Sequence, residues 1–372
     1  MNWIRFFGWI TIIAIPLGIA ELASFITTFD HRASVFEKYS EESLHEFRTK
    51  SASNLLGWEE AIGTRTQTNC LGQPWIKTIN ATRRRVHGPY ADNEIRVVLS
   101  GDSYTLGAEV GDSDTYPAQL ENLLKTGVAN LGTGGYGPVQ SLLKLEQDIE
   151  NYPAAKIIVL NIMYENILRT ENSYRPVYNK KTAMIYGFKP YARGGKIHAI
   201  SPENPWADLD VLKSTANAAF DTDYWANPVF HFPYTVSLVK SFVTKGPSLK
   251  LWSKIDRLLG RPRLLRFVNS AEIRANMSAV INRFADLAAR NDLAGVVVLI
   301  PRNGSNVGIK NLMEEMFHGI SPSTVKIVSI GDGIDWSRYN LKKERCHPSP
   351  YGHQEIATQV ANTLRNILNE QN

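Results

Sequence analysis

Cysteine is nearly absent from this 372-residue chain. Two residues, Cys70 and Cys346, are too few for a disulfide-built scaffold. In an oxidising compartment they could pair, which would pin the segment around Cys346 against the upstream segment around Cys70. The alternative is two unpaired buried thiols. No group of His, Cys, Asp and Glu has zinc-ligand spacing, and no Walker-type phosphate loop occurs. Neither a metal nor any other cofactor is therefore expected. Strong charge asymmetry is missing too: 41 Lys and Arg against 36 Asp and Glu leave a net charge of +5, spread along the chain. The densest basic run, Arg83-Arg84-Arg85, reads as a solvated turn, and no nucleic-acid partner is expected. Internal repeats and long low-complexity runs are also lacking.

Only one long apolar run is present, and it lies at the N-terminus. Arg5 precedes an uncharged stretch from Phe6 to Ala20, and an apolar continuation runs past Glu21 to Phe29. The uninterrupted part is short against the roughly 20 residues a spanning helix needs, but counting past Glu21 makes a span feasible. Residues 3–26 are expected to form an uncleaved transmembrane anchor. The rival is a cleaved signal segment ending at Gly18-Ile19-Ala20. Arg5 before the span places the N-terminus in the cytoplasm and the rest on the periplasmic or extracellular side. Residues 27–92 read as a linker that wraps the domain, since Trp58, Trp75 and Ile76 need burial. Residues 93–372 form the main domain, interrupted by an aromatic-rich insertion at about 169–267. It holds Tyr174, Tyr178, Tyr186, Tyr191, Trp206, Tyr224, Trp225, Phe230 and Tyr234. These aromatics form either a lid or substrate wall, or the insertion's own core.

The main domain alternates apolar runs with helical spacing. Strands are expected at 95–99, 128–131, 155–160, 295–300 and 325–330, and helices at 115–124, 270–291, 310–317 and over the final segment. Such alternation implies a mainly parallel sheet with helices on both faces. The first strand stops at Gly101-Asp102-Ser103, which puts Ser103 at the carboxyl edge of the sheet, where ligands bind in open α/β folds. A serine there is a nucleophile if a base reaches it; otherwise the tripeptide is a capped turn. The second strand runs into the glycine-dense loop Gly132-Thr133-Gly134-Gly135-Tyr136-Gly137. His347 precedes Pro348 just before the last helix, and Glu344 stands three residues earlier, close enough to orient its ring.

These residues together resemble the SGNH, or GDSL-type, hydrolases over about residues 95–368, apart from the insertion. Gly101-Asp102-Ser103 is similar to the first family block. Asn130-Leu131-Gly132-Thr133-Gly134-Gly135 is similar to the second. Glu344-Arg345-Cys346-His347-Pro348 is similar to the Asp-x-x-His-Pro block, with Glu344 in place of Asp. The resemblance implies a flavodoxin-like three-layer α/β/α fold and a catalytic triad of Ser103, His347 and Glu344, with Asp332 and Asp335 as fallback acids. It also implies an oxyanion hole built from the backbone N–H groups of Ser103 and Gly135 and the side chain of Asn166. The third family block, usually Asn-Asp, is here Glu165-Asn166. In strict register Glu165 takes the donor's place, where a carboxylate would repel an oxyanion. The implied activity is a serine esterase or deacetylase acting on O-acyl groups of a cell-envelope carbohydrate or lipid. An O-acyltransferase using the same triad, or an inactive binding module, are the alternatives. The acyl group, the alcohol and the oligomeric state are left open.

Overall fold

A computed structural model describes residues 14–24, 32–179, 184–223, 235–236, 270–302, 307–342 and 346–371. Residues 14–24 are helical, and the rest of the expected N-terminal span, 3–13 and 25–26, lies outside the described residues. Among the described residues no helix is long and apolar enough to cross a membrane.

Before the core come two antiparallel pairs. Strand β1 (Ala52–Ser53) joins β2 (Gly57–Trp58), and β3 (Gly63–Thr68) joins β4 (Pro74–Ile79). The central sheet holds β5 (Ile95–Ser100), β6 (Gly127–Asn130), β7 (Ile157–Met163), β10 (Ala294–Ile300) and β11 (Val325–Ser329). Between β7 and β10 lies a small hairpin of β8 (Tyr191–Arg193) and β9 (Lys196–His198). Sheet order is β11-β10-β7-β5-β6, and every neighbouring pair is parallel. This is the flavodoxin-like order of a doubly wound sheet. Each interior strand is buried on both faces, which explains the near-continuous apolar runs.

Alternating side chains serve two separate cores. Val97, Leu99, Val159 and Val298 face the helices Tyr116–Leu124 and Pro350–Glu370. Val98, Ile158, Leu160 and Val297 face the helices Pro138–Asp148, Ala271–Arg290 and Val307–Ile320. The expected layers are therefore present, with helices on both sides of one sheet.

The wrapping segment is tied to the glycine loop. Trp58 Nε1 donates to the Gly134 carbonyl at 2.9 Å, and Tyr136 Oη donates to the Trp58 carbonyl at 2.6 Å. Trp58 and Trp75 are buried as expected, but Ile76 is exposed because β4 alternates and shows that face to solvent. In the described part of the insertion, Tyr174, Tyr186, Phe188, Trp206 and Phe220 pack together with Tyr39 and Phe47. These aromatics are core rather than a lid. Tyr224, Trp225, Phe230 and Tyr234 lie outside the described residues.

The arginine run is not a solvated turn. Arg84 and Arg85 are buried, and Arg85 is fully enclosed. Its charge is compensated by Asp112 at 2.7 Å, and its remaining N–H groups reach four backbone carbonyls. A guanidinium has five donors, so it can be buried when enough acceptors converge on it.

Candidate active site

The first crossover runs from β5 to β6 on one side, and the second returns from β6 past β5 to β7 on the other. A crevice therefore opens at the carboxyl ends of β5 and β7. Asp102 caps the short helix Ser103–Leu106, with its Oδ1 accepting from the Tyr104 N–H at 2.8 Å. The cap fixes the helix start, and Ser103 is its first residue. Gly132 lets the neighbouring loop approach, since a Cβ there would lie 2.1 Å from the Leu106 backbone nitrogen.

His347 reaches Ser103 from across the fold. Its Nε2 stands 2.9 Å from Ser103 Oγ, hydrogen-bond distance for proton abstraction. Pro348, one residue on, makes a bridge with Asn340, and the Leu341 N–H donates to the His347 carbonyl at 3.1 Å. Cys346 is bonded to Cys70 at the tip of the β3–β4 hairpin, so the pair is a disulfide, with Cα atoms 6.2 Å apart. The His347 side chain keeps 32% of its exposure, leaving its reactive edge accessible.

The group beside the other ring nitrogen is Glu109, which sequence analysis did not single out. Glu109 Oε2 lies 3.1 Å from His347 Nδ1 and accepts the His347 backbone N–H at 2.9 Å. The Nδ1 contact has an ion-pair distance, with the N–H not aimed straight at the oxygen. Burial pushes the Glu109 carboxyl up, but the adjacent His347 ring and the hydrogen bonds from the His347 and Cys70 backbone N–H groups outweigh it, so it lies below the usual range. Glu109 is a carboxylate at neutral pH, suited to orient and stabilise an imidazolium. It sits at φ +75°, a left-handed conformation disfavoured for residues other than glycine. Arg85 supports that turn by donating to the carbonyls of Leu106, Gly107 and Val110 at 2.6, 2.6 and 2.7 Å.

Glu344 lies outside the described residues. Of the fallback acids, Asp332 is largely exposed and pairs with Lys310. Asp335 caps the short helix Trp336–Tyr339, accepting from Ser337. Position six residues after the serine is the only sequence signal for Glu109, and it does not distinguish a triad acid from an ordinary loop acid.

The three groups expected to form an oxyanion hole are Ser103, Gly135 and Asn166. The N–H groups of Ser103 and Gly135 have no hydrogen-bond partner among the described residues. Gly135 has φ +83°, a left-handed conformation that favours glycine, and a Cβ there would meet Met184 Sδ at 2.6 Å. Asn166 is buried and donates from Nδ2 to Asp102 Oδ2. Its amide is thus engaged with the residue preceding Ser103. Glu165, next to it, has a buried Oε2 without a hydrogen-bond partner. Burial raises its pKa above the ordinary value, against the pull of Arg302 and Arg169.

A cavity of about 300 Å³ lies beside the glycine loop, lined by Trp58, Glu60, Arg65, Lys77, Met184 and Tyr186. Trp58 and Met184 both approach Gly135. Glu60 Oε1 accepts the Gly134 N–H at 2.9 Å while Oε2 pairs with Lys77.

Neither a family model nor a curated protein matches the chain. Among solved structures it is similar to a protein assigned by description as a lipolytic protein of the G-D-S-L family from Desulfitobacterium hafniense DCB-2. The likeness spans 72% of this chain and 98% of that one, at 10% sequence identity and a TM-score of 0.32.

Proposed function

We propose that this protein is a serine ester hydrolase, with Ser103 as nucleophile, His347 as general base and acid, and Glu109 as the group that orients His347. The supporting observation is one chain of contacts: Ser103 Oγ to His347 Nε2 at 2.9 Å and His347 Nδ1 to Glu109 at 3.1 Å. His347 takes the hydroxyl proton as Ser103 Oγ attacks the ester carbonyl. The carbonyl oxygen becomes an oxyanion beside the Ser103 and Gly135 N–H groups. Collapse expels the alcohol, which takes the proton from His347 and leaves an acyl-enzyme. Water, deprotonated by His347, then releases the acid and restores Ser103.

The cavity beside Gly135 is reached from the glycine loop and is not lined by Ser103 or His347; as an outlying subsite it favours a polar alcohol. Its walls combine aromatic side chains with carboxylate and cationic groups, a lining suited to a carbohydrate hydroxyl compound more than to an alkyl chain. The substrate class proposed is accordingly an O-acylated carbohydrate of the cell envelope. The apolar N-terminal run is consistent with a membrane-anchored, exported enzyme.

Ser103→Ala abolishes hydrolysis of a small activated ester while the circular dichroism spectrum and melting temperature stay unchanged. Retained activity in that variant overturns the assignment. A fluorophosphonate labels the native protein and not the variant; an unlabelled native protein indicates an inactive binding module. Product analysis with an oligosaccharide acceptor separates release to water from transfer to sugar.

A further inference from the structure

Resting on the acyl-transfer reading, we propose that a groove leading away from the glycine loop holds a run of sugar residues next to the acylated one, so that the substrate is a polysaccharide rather than a single acylated sugar. Two cavities form this groove. One, of about 300 Å³, ends at Trp58 and Met184; the other, of about 580 Å³, runs on past Ser43, Glu46 and Lys50. They are continuous, because Phe47, Ser51, Ala61, Arg65, Ile185 and Tyr186 line both. Sites of roughly 300–1,000 Å³ hold a drug-sized ligand, so the pair exceeds what one sugar ring needs.

Direct contacts fix the inner end of the groove to the glycine loop. Trp58 Nε1 donates to the Gly134 carbonyl, and the Gly134 N–H donates to Glu60, both at 2.9 Å. A Cβ on Gly135 would lie 2.6 Å from Met184 Sδ and 3.4 Å from the Trp58 ring. The groove therefore begins beside Gly135, whose N–H the mechanism uses. Its outer wall is the β3–β4 hairpin. The tip of that hairpin is bonded through Cys70 to Cys346, the neighbour of His347. Both walls are thus tied to loops on which the mechanism depends.

The chemistry of the walls selects the occupant. Arg65 pairs across the hairpin with Lys77, and Gln67 with Trp75, so all four side chains share one face. Trp75 and Lys77 are buried there, whereas Arg65 and Gln67 are exposed. β3 therefore overhangs an open gap. Lys77 pairs with Glu60, Lys144 with Glu59 and Lys50 with Glu46. Arg65, within electrostatic reach of Glu46, makes no hydrogen bond among the described residues. Opposite, half-buried Phe47 packs on Tyr186 with ring centroids 5.2 Å apart, and Tyr186 Oη meets Ser43 Oγ at 2.5 Å. Aromatic faces on one side and available hydrogen-bonding groups on the other match a sugar, whose ring faces are apolar and whose rim carries hydroxyls. An alkyl chain would desolvate Arg65 and Gln67 and give them no partner.

The test uses O-acetylated oligosaccharides of one to six units in glucose, xylose and N-acetylglucosamine series. In at least one series kcat/KM rises by about tenfold or more from one unit to four, mainly through KM, as binding remote from the reacting bond requires. Arg65→Ala deletes a donor and Gln67→Trp fills the gap, both at exposed strand positions. In each, the ratio of kcat/KM for four units to that for one falls to about one. Rates independent of length in every series overturn the proposal, and so does a length gain kept by both variants. A rate that follows the length of the acyl chain instead of the number of sugars gives the groove to the acyl group and overturns it too. If Gln67→Trp does not fold, Arg65→Ala decides. Ser103→Ala separates this proposal from its parent. Calorimetric affinity of that variant for the unacetylated oligosaccharides grows with length, and an affinity independent of length overturns the groove. Activity surviving in Ser103→Ala would instead overturn the parent reading, whatever the groove binds.

Discussion

Glu109 shows how a residue acquires a role from its neighbours. One carboxylate oxygen meets both the ring and the backbone nitrogen of His347, 238 positions away. Glu109→Gln keeps the shape and removes the charge that stabilises the imidazolium. We expect kcat to fall by about 10³–10⁴-fold, with KM nearly unchanged. The effect of Glu344→Gln is expected to be much smaller. Steady-state kinetics of the two variants check the assignment, and equal losses would return Glu344 to the triad. Arg85 acts through the same turn. It holds three carbonyls around Glu109, and the strain at φ +75° persists because that clamp and the hairpin contact over-determine the backbone.

The last helix carries a second histidine whose chemistry differs entirely. His353 is fully buried, stacks on Tyr116 and accepts the Tyr116 N–H at Nδ1. Burial, with Arg85 and His347 adding to it, pushes its pKa down to about 3. The unfolded chain titrates near 6.5, so between these values it binds a proton that the folded protein refuses. Stability is therefore full above about pH 6.5 and declines as pH falls, by about 1.4 kcal/mol per unit from this one group. Urea unfolding at pH 7 and at pH 5 measures the slope. In His353→Gln the slope is smaller by that amount, although the variant is less stable at pH 7. An equal slope in both proteins rejects a buried neutral His353.

Across the whole molecule, the disulfide joins the loop carrying His347 to the β3–β4 hairpin, bridging 276 residues. Cross-linking so long a loop stabilises by restricting the unfolded chain, typically by about 2–4 kcal/mol. Reduction is expected to lower the melting temperature and kcat together, because Cys346 adjoins His347 and the Cys70 backbone N–H contacts Glu109. Cys346→Ser reproduces both effects and becomes insensitive to reductant. Melting curves and ester hydrolysis, with and without reductant, check this.

Much of this architecture is legible in the chain itself. Apolar runs interrupted by helical spacing marked all five core strands, because interior strands of a parallel sheet are buried on both faces. The turn at Gly101-Asp102-Ser103 placed the serine, and Pro348 placed His347 in a loop before the last helix. These are short-range effects of burial, backbone freedom and capping, and short-range physics is written in local sequence. Strand order, the arginine clamp and the acid beside His347 depend on which distant segments converge. Arg85 in a basic run looks like surface until five acceptors gather round it. Glu109 looks like any loop acid until the sheet and the Cys70–Cys346 bond bring His347 to it. Local sequence determined the elements and the place of Ser103 at the sheet edge; tertiary convergence alone decided its partners.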